Sequence, residues 1–225
     1  MFNRLRFLVF FILSVVASMA QESGPTDTDT TRVVRAFIPS IYIDYGKLLT
    51  IPLANELKYE GGIELLFNEK IPLIIEVGSA TLTPREVYAN GDYEAKGQYL
   101  RIGTGVYNQW QLKNKFGLTM RYAVSKFDEV ARLNSENINI DRTLSASYDR
   151  KDVSASWLEL VFYTDQKLFS DTKIKDIFTI GMNLRYRYLL DYDIQTPDDV
   201  YAIPGYGRSF DESVPAMNVF LKVSF

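Results

Sequence analysis

The sequence predicts an all-β protein, specifically an eight-stranded antiparallel transmembrane β-barrel. Three observations support this fold class: an N-terminal export signal, eight segments in which apolar and polar residues alternate, and connections of alternating length. Alternation with a period of two is the spacing of a strand with one apolar and one polar face. Strands of about ten residues match the ~9–11 residues that a tilted strand needs to cross a bilayer, and bacterial barrels have an even number of strands.

The N-terminus has the order of a secretory signal peptide. Basic residues precede an apolar run at 7–17, and small residues lead up to Ala20. The run is about half of the ~20 residues that a membrane-spanning helix needs, so we expect cleavage after Ala20 and export to the outer membrane. The predicted organisation is a signal peptide at 1–20, a flexible polar leader at 21–34 and the barrel at 35–225.

The last predicted strands show the clearest alternation. Residues 215–225 place five apolar residues on one face, and the strand runs to Phe225 at the end of the sequence. In residues 177–190 the apolar face begins near Phe178 and reaches Tyr186 and Tyr188. Membrane barrels carry aromatic girdles at both interfaces. We therefore expect Phe178 near one interface and the two tyrosines near the other.

The connections between the predicted strands alternate in length, as they do in outer-membrane barrels with both termini in the periplasm. The shorter connections are at 68–70, 109–114 and 165–175, the longer ones are at 83–97, 128–154 and 191–213, and a medium one is at 46–56. The segment at 191–213 is acidic but lacks the order of an EF-hand loop. The long connections are therefore predicted to be solvated loops without a metal site.

The polar faces of the predicted strands carry glycines and charged residues. The interior of an eight-stranded barrel is only wide enough to be filled by side chains, so these charges should form a buried salt-bridge network in a closed lumen. The residues are Glu60, Glu64, Glu76, Arg101, Arg121, Glu159, Arg185, Arg187 and Lys222. Ionisable residues at membrane depth are also candidates for an ion or proton path, which is the alternative interpretation.

Composition excludes several kinds of chemistry. The sequence contains no histidine, which excludes serine–histidine catalysis and histidine metal sites, and no cysteine, which excludes disulfides and lipid attachment at a mature N-terminus. We therefore expect no enzyme activity, no cofactor and no metal. Without the two arginines of the signal, 23 basic residues face 28 acidic ones, so a nucleic-acid partner is not expected.

An aromatic residue that closes an alternating apolar strand looks like the C-terminal assembly signature of outer-membrane barrels. With Phe225 in that position, the chain resembles the small barrels of the OmpA transmembrane domain and OmpX type. The segments DYGKLLT and EVGSATL resemble an uncharacterised outer-membrane family from the Bacteroides group. The resemblance implies contact with outer-membrane lipid and lipopolysaccharide, and recognition of the C-terminal strand by the barrel-assembly machinery. It implies no catalytic residue.

Three functional hypotheses follow. In the first, the barrel is a structural or interaction protein that displays loops or docks beside a larger envelope protein complex. In the second, it is a narrow channel or transport accessory. In the third, the chain is a soluble exported β-sandwich whose apolar faces point inward. The direction in which the apolar faces point distinguishes the third hypothesis from the other two.

Overall fold

A computed structural model describes seven parts of the chain, namely residues 36–45, 56–84, 91–111, 114–137, 142–168, 177–194 and 199–225. The predicted signal peptide and leader lie outside the described residues, as does most of the predicted connection at 46–56. Among the residues described, no helix is both long and apolar enough to cross a membrane.

The described residues form ten strands. They are β1 Phe37–Asp44, β2 Glu56–Phe67, β3 Ile71–Leu82, β4 Gly91–Gln111, β5 Asn114–Asn137, β6 Arg142–Lys167, β7 Phe178–Tyr192, β8 Ala202–Ile203, β9 Gly207–Arg208 and β10 Ser213–Ser224. Eight of them form one antiparallel sheet that closes on itself in the order β1-β10-β7-β6-β5-β4-β3-β2. The short β8 and β9 pair only with each other. The prediction of an all-β fold with eight antiparallel strands is therefore confirmed.

The closed sheet has two distinct ends. The lower end contains the start of β1, the end of β10 and the predicted turn at 68–70, which the structure confirms. In that turn Asn68 and Glu69 have positive φ angles of 48° and 60°, and the Lys70 amide donates to the Phe67 carbonyl over 2.9 Å. The upper end contains the connection at 138–141 and the long segment between β7 and β10.

At the level of the lower and middle sheet, polar side chains point inward and apolar side chains point outward. On β3, for example, Glu76 is fully buried, whereas its neighbours Ile75 and Val77 are 40% and 58% exposed. Because successive side chains of a strand point to opposite faces, this arrangement follows the alternation of the sequence along each strand at this level. The interior at this level is charged, and the outer surface is apolar.

The prediction of loops is wrong for residues 91–97 and for most of the segment at 128–154. Residues 91–97 belong to β4, and β5 and β6 are 24 and 26 residues long. The alternation in this upper part has the opposite sense: Tyr93 and Ala95 are buried, while Asp92 and Glu94 are exposed. These residues do not fit the pattern of a strand with an apolar outer face, and for this reason the sequence predicts a solvated loop.

The predicted alternation of connection lengths holds from β2 to β5 but is wrong for the two connections that flank β6. The connection between β5 and β6 has only four residues, at 138–141, although it lies at the upper end. The connection between β6 and β7, at the lower end, has ten residues at 168–177. The extra length at the upper end lies in paired strand instead, because β5 and β6 remain hydrogen-bonded from Asn114 to Asn137.

The segment at 199–212, called the cap below, is folded rather than solvated. It contains the β8–β9 hairpin, and the side chains of Val200, Ala202, Ile203 and Tyr206 are at most 5% exposed. They pack against residues of the upper strands, among them Tyr93, Phe127, Val153 and Trp157. The cap therefore closes the upper end of the sheet. It packs on the apolar inner face of β4, β5 and β6.

Candidate functional site

The structure places all nine charged residues predicted for the lumen in the interior of the closed sheet. Each is at most 7% exposed. They come from seven strands, and the residues are Glu60, Glu64, Glu76, Arg101, Arg121, Glu159, Arg185, Arg187 and Lys222. Seven of them, together with Lys58, form a central cluster, and the other two, Glu64 and Lys222, belong to a lower cluster.

Glu76 lies at the middle of the central cluster. It accepts hydrogen bonds from three guanidinium groups: Arg101, Arg121 at 2.9 Å, and Arg185 at 2.8 and 2.9 Å to its two carboxylate oxygens. The hydroxyl of Tyr42 donates to the same carboxylate over 2.9 Å. Charge-assisted hydrogen bonds of this kind are roughly twice as strong as neutral ones. One carboxylate therefore holds together side chains from β1, β4, β5 and β7.

Glu60 joins the strands on the other side of the cluster. Its carboxylate lies 2.8 Å from Arg185, 2.9 Å from Arg101 and 3.0 Å from the ammonium of Lys58. The Tyr99 hydroxyl donates to it over 2.8 Å, and the Arg101 guanidinium lies 4.4 Å from the centre of the Tyr99 ring. Because Glu60 is on β2 and Arg185 is on β7, their contact crosses the interior from one wall to the other.

Glu159 closes the upper side of the central cluster. It accepts hydrogen bonds of 2.8 Å from Arg101 Nε and from the indole of Trp157, and Arg187 Nε lies 3.4 Å away. Burying a charge without a partner costs several kcal/mol, and a buried ion pair is stable only when further hydrogen bonds satisfy its remaining groups. The three carboxylates share their donors rather than forming separate pairs, although Glu159 Oε2 and the Nε atoms of Arg121, Arg185 and Arg187 have no hydrogen-bond partner among the described residues.

The lower cluster is built around Lys222. Its ammonium lies 3.0 Å from both Glu64 and Asp165. The hydroxyl of Tyr107 donates to Glu64 over 2.7 Å, and the Tyr107 ring stacks on the Tyr163 ring with 4.3 Å between the centroids. The interior at the lower end is therefore filled by aromatic rings and one three-residue charge group, all supplied by the strands themselves.

Buried charges of opposite sign are matched across the interior. Among the described residues, seven carboxylates are buried: Asp44, Glu60, Glu64, Glu76, Glu129, Glu159 and Asp165. In the same part of the chain six cations are buried, namely Lys58, Arg101, Arg121, Arg185, Arg187 and Lys222, and half-buried Arg150 pairs with Glu129 over 2.8 Å. Opposite charges therefore lie close together in a medium of low dielectric constant, where an isolated charge would be costly.

Sequence reasoning missed several members of these clusters. Lys58 lies two residues before Glu60 and therefore on the same face of β2, a signal that was available. Asp165 was assigned to a connection, although it follows Tyr163 on the inward face of β6. Glu129 lay in a predicted loop. The inward tyrosines that donate hydrogen bonds are also absent from the predicted set, because the sequence pattern places aromatic residues mainly on the outer face.

The tip of the cap reaches down to the central cluster. Arg101 donates to the Gly205 carbonyl over 2.9 Å, and Arg187 donates to the Tyr206 carbonyl over 2.6 Å. Gly205 has a positive φ of 87°, and a Cβ atom there would lie 2.6 Å from the Tyr99 ring. Only glycine combines this backbone conformation with such a close approach. Two arginines of the cluster thus use the cap backbone as hydrogen-bond acceptors.

The cap is also bound to the upper parts of β4, β5 and β6. The Tyr93 hydroxyl accepts a hydrogen bond from the Ala202 amide over 3.0 Å, and Glu129 accepts one from the Tyr201 amide over 3.3 Å. The Trp157 and Tyr206 rings lie 5.7 Å apart. These contacts explain why the strands continue above the central cluster: their inner faces bind the cap.

The predicted aromatic girdle residues lie on the outer face of β7. Tyr186 is 54% exposed, and Phe178 and Tyr188 are half-buried. The Tyr186 hydroxyl lies 2.8 Å from the hydroxyl of Ser213 on the neighbouring strand. Phe225 is 64% exposed, and its amide donates to the Pro39 carbonyl over 3.0 Å. Within the described residues, no group of three or more potential ligands is placed to hold a metal ion.

Comparison with known proteins adds a family but no activity. A search of curated proteins finds no match. The family described as a domain of unknown function, DUF6048, matches residues 2–225, which is nearly the whole chain. The chain therefore belongs to the DUF6048 family.

Proposed function

We propose that the protein is an integral outer-membrane β-barrel with a closed lumen, whose role is structural or interactive rather than catalytic. The barrel would anchor the cap and the upper parts of β4, β5 and β6 at the cell surface, for loop display or as an accessory to a larger envelope complex. The observation that carries this proposal is a change along the strands: below one level of the sheet the apolar side chains lie on the outer face, and above it they lie on the inner face.

The change takes place between two successive rows of outward-facing residues, in each of which the residues of neighbouring strands are paired. The uppermost apolar row on β3, β4 and β5 consists of Val77, Leu100 and Val124. The next outward row above it consists of Ser79, Gln98, Lys126 and, on β6, Ser154. On β6 the apolar residues resume at Leu158, below Ser156. An outer surface that changes from apolar to polar at one level supports a membrane boundary at that level.

The height of the apolar outer surface also supports insertion. Phe178 and Tyr188 are ten residues apart on β7, which corresponds to about 33 Å along a strand at ~3.3 Å per residue. At a tilt of ~40° this is a height of about 25 Å, close to the apolar band of outer-membrane barrels. The soluble β-sandwich hypothesis requires apolar faces inside and charges outside. At this level the closed sheet has the reverse arrangement.

A closed lumen is supported over the narrow channel by the contacts across the interior. Arg185 on β7 reaches Glu60 on β2 and Glu76 on β3, and β3 lies opposite β7 in the closed sheet. Side chains from opposite walls thus meet in the central cluster, the cap covers the cluster from above, and the Tyr107–Tyr163 stack fills the interior below. This arrangement is that of a salt-bridged plug, and no observation favours conduction.

The first test of this proposal is electrophoresis of the detergent-extracted outer-membrane fraction in cold SDS, with and without boiling. The intact protein is expected to migrate differently before and after boiling, as a folded barrel does. Deletion of Phe225 should weaken this shift if the assembly machinery recognises the C-terminal strand. A protein that stays in the periplasmic fraction without detergent and migrates identically in both lanes would contradict insertion.

The second test uses the absence of native cysteine. Single variants Lys126→Cys and Leu100→Cys place one thiol just above and one just below the proposed boundary, both on the outer face. A membrane-impermeant maleimide added to whole cells should label the first and leave the second unlabelled until the membrane is dissolved. Equal labelling of the two thiols on cells would show that no bilayer covers the apolar surface.

A further inference from the structure

A small cavity of about 10 Å³ lies in the interior between the central and lower clusters. Its polar lining consists of Arg121 of the central cluster, Glu64 and Lys222 of the lower cluster and the amide side chain of Asn183 on β7. Three aromatic side chains complete the lining, namely those of Tyr42, Tyr163 and Phe220. A site of this size accommodates one water molecule, and water occupies such a site only when it finds two to four polar partners. The lining residues supply at least that number.

Two of the lining side chains have a buried atom that finds no hydrogen-bond partner within the part of the chain that the structure describes. They are Nε of Arg121, which is a donor, and Oδ1 of Asn183, which is an acceptor. Arg121 uses its Nη1 to bind Glu76 over 2.9 Å, so its Nε is a second, separate donor. A buried donor or acceptor that stays unsatisfied costs about 1–3 kcal/mol. One molecule that both accepts and donates would satisfy both atoms.

The distribution of charge points to the same molecule. The central cluster has five cations and three carboxylates, whereas Lys222 in the lower cluster faces two carboxylates, Glu64 and Asp165. The cavity therefore lies between a guanidinium group of the central cluster and a carboxylate of the lower cluster. A water molecule between Arg121 and Glu64 would accept from the guanidinium and donate to the carboxylate. The cavity volume selects water over larger ligands.

We propose that this cavity is a binding site for one structural water molecule, which links the central cluster to the lower cluster. It accepts a hydrogen bond from Arg121 Nε and donates hydrogen bonds to Asn183 Oδ1 and to Glu64. The two clusters then form one continuous hydrogen-bonded network from Lys222 to the cap. The inference concerns the interior of the closed sheet and does not depend on membrane insertion.

The test is solution NMR of the refolded full-length mature protein in detergent micelles, with labelled arginine. The Arg121 Nε proton should give a cross-peak to a water molecule whose residence time is long. Asn183→Leu removes the acceptor and fills the cavity, so the cross-peak should be lost. Asn108→Leu, on the exposed outer face of β4, is the matched control and should retain it.

A crystal structure of the unmodified protein provides the second measurement, which stays decisive if Asn183→Leu does not fold. Density for one water within hydrogen-bond distance of Arg121 Nε and Asn183 Oδ1 is expected. The proposal is overturned if ordered waters are seen elsewhere in the interior while this cavity is empty. It is also overturned if the Arg121 proton shows no water cross-peak, or if the Asn183→Leu variant keeps it.

Discussion

The strands β4, β5 and β6 pass through two regions that are built in opposite ways. Below the row of Gln98, Lys126 and Ser154, charged residues lie on their inner face and apolar residues on their outer face. Above this row the inner face is mainly apolar, with Glu129 as an exception, and the outer face is polar. The backbone pairing of β4 with β5 continues through this change of faces. The backbone hydrogen bonds of the sheet therefore do not depend on which face is apolar. The surroundings of each face determine whether its side chains are apolar or polar.

The two regions also differ in what holds their interior together. The central and lower clusters depend on matched charges, so removal of one partner leaves another charge buried and unpaired. The upper region depends on the packing of the cap against Trp157, Phe127 and Tyr93, so a truncation there leaves a void that can partly collapse or admit water. Substitutions should therefore cost more in the charged region and stay more local in the upper region.

The largest effect is expected for Glu76→Leu. This substitution removes the shared partner of Arg101, Arg121 and Arg185, and breaking one buried ion pair already costs about 3–5 kcal/mol. We expect a loss at or above the top of that range, measured by urea unfolding of the refolded protein in detergent. The control Glu94→Leu, on the exposed face of the upper region, should change the free energy of unfolding by less than about 0.5 kcal/mol.

The next effect in size is expected for Lys222→Met in the lower cluster. It leaves the Glu64 and Asp165 carboxylates facing each other without their cation, at a cost of about 3–4 kcal/mol. The matched control is Lys96→Met on the exposed outer face of β4. If both lysine variants unfold at the same urea concentration as the unmodified protein, the charged region is not held together by charge matching.

A smaller and more local effect is expected for Tyr206→Ala in the cap. Loss of a fully buried aromatic side chain costs about 3 kcal/mol when the void persists, and less where the cap can relax. In a Trp110→Phe background, Trp157 is the only tryptophan, and acrylamide should quench its fluorescence more strongly once the cap is loosened. The shift on boiling in cold SDS should persist. Loss of that shift would show that the cap supports the whole sheet.

The smallest effect concerns an exposed contact at the upper edge of the β6–β7 pair. The Asp193 carboxylate accepts hydrogen bonds of 2.8 Å from both the amide and the hydroxyl of Ser154, and these bonds lower the pKa of Asp193 below its ordinary value of 3.8. A lowered folded-state pKa stabilises the contact above the ordinary value, and this stabilisation is lost as the pH falls through the folded pKa.

The amide chemical shift of Ser154, followed by NMR as a function of pH, measures this contact directly. We expect a change with a midpoint below pH 3.8, and no such change in Asp193→Asn. Global stability should hardly respond, because the carboxylate is solvent-exposed and its hydrogen bonds compete with water. A midpoint at or above 3.8 would show that the contact does not persist in solution.

Prediction from the sequence succeeded where one pattern extended over a whole strand. In β7, Arg185 and Arg187 alternate with Leu184 and Tyr186, so the inward face could be assigned before any pairing was known. It failed where the sense of the alternation changed within a strand. Tyr93 and Ala95 follow the same period of two as Leu100 and Ile102, but their apolar side chains belong to the opposite face.

The sequence by itself determined the all-β class, the number of strands in the closed sheet and the set of nine charged residues that the structure places inside, because each follows from the period of two along single strands. Only the tertiary structure decided which charges meet, since Glu76 and Arg185 are 109 positions apart and are brought together by sheet closure. The tertiary structure also decided that the cap is buried, although its acidic composition indicates a solvated loop. The cap is buried because the upper strands offer it an apolar face and two arginines offer donors to its backbone.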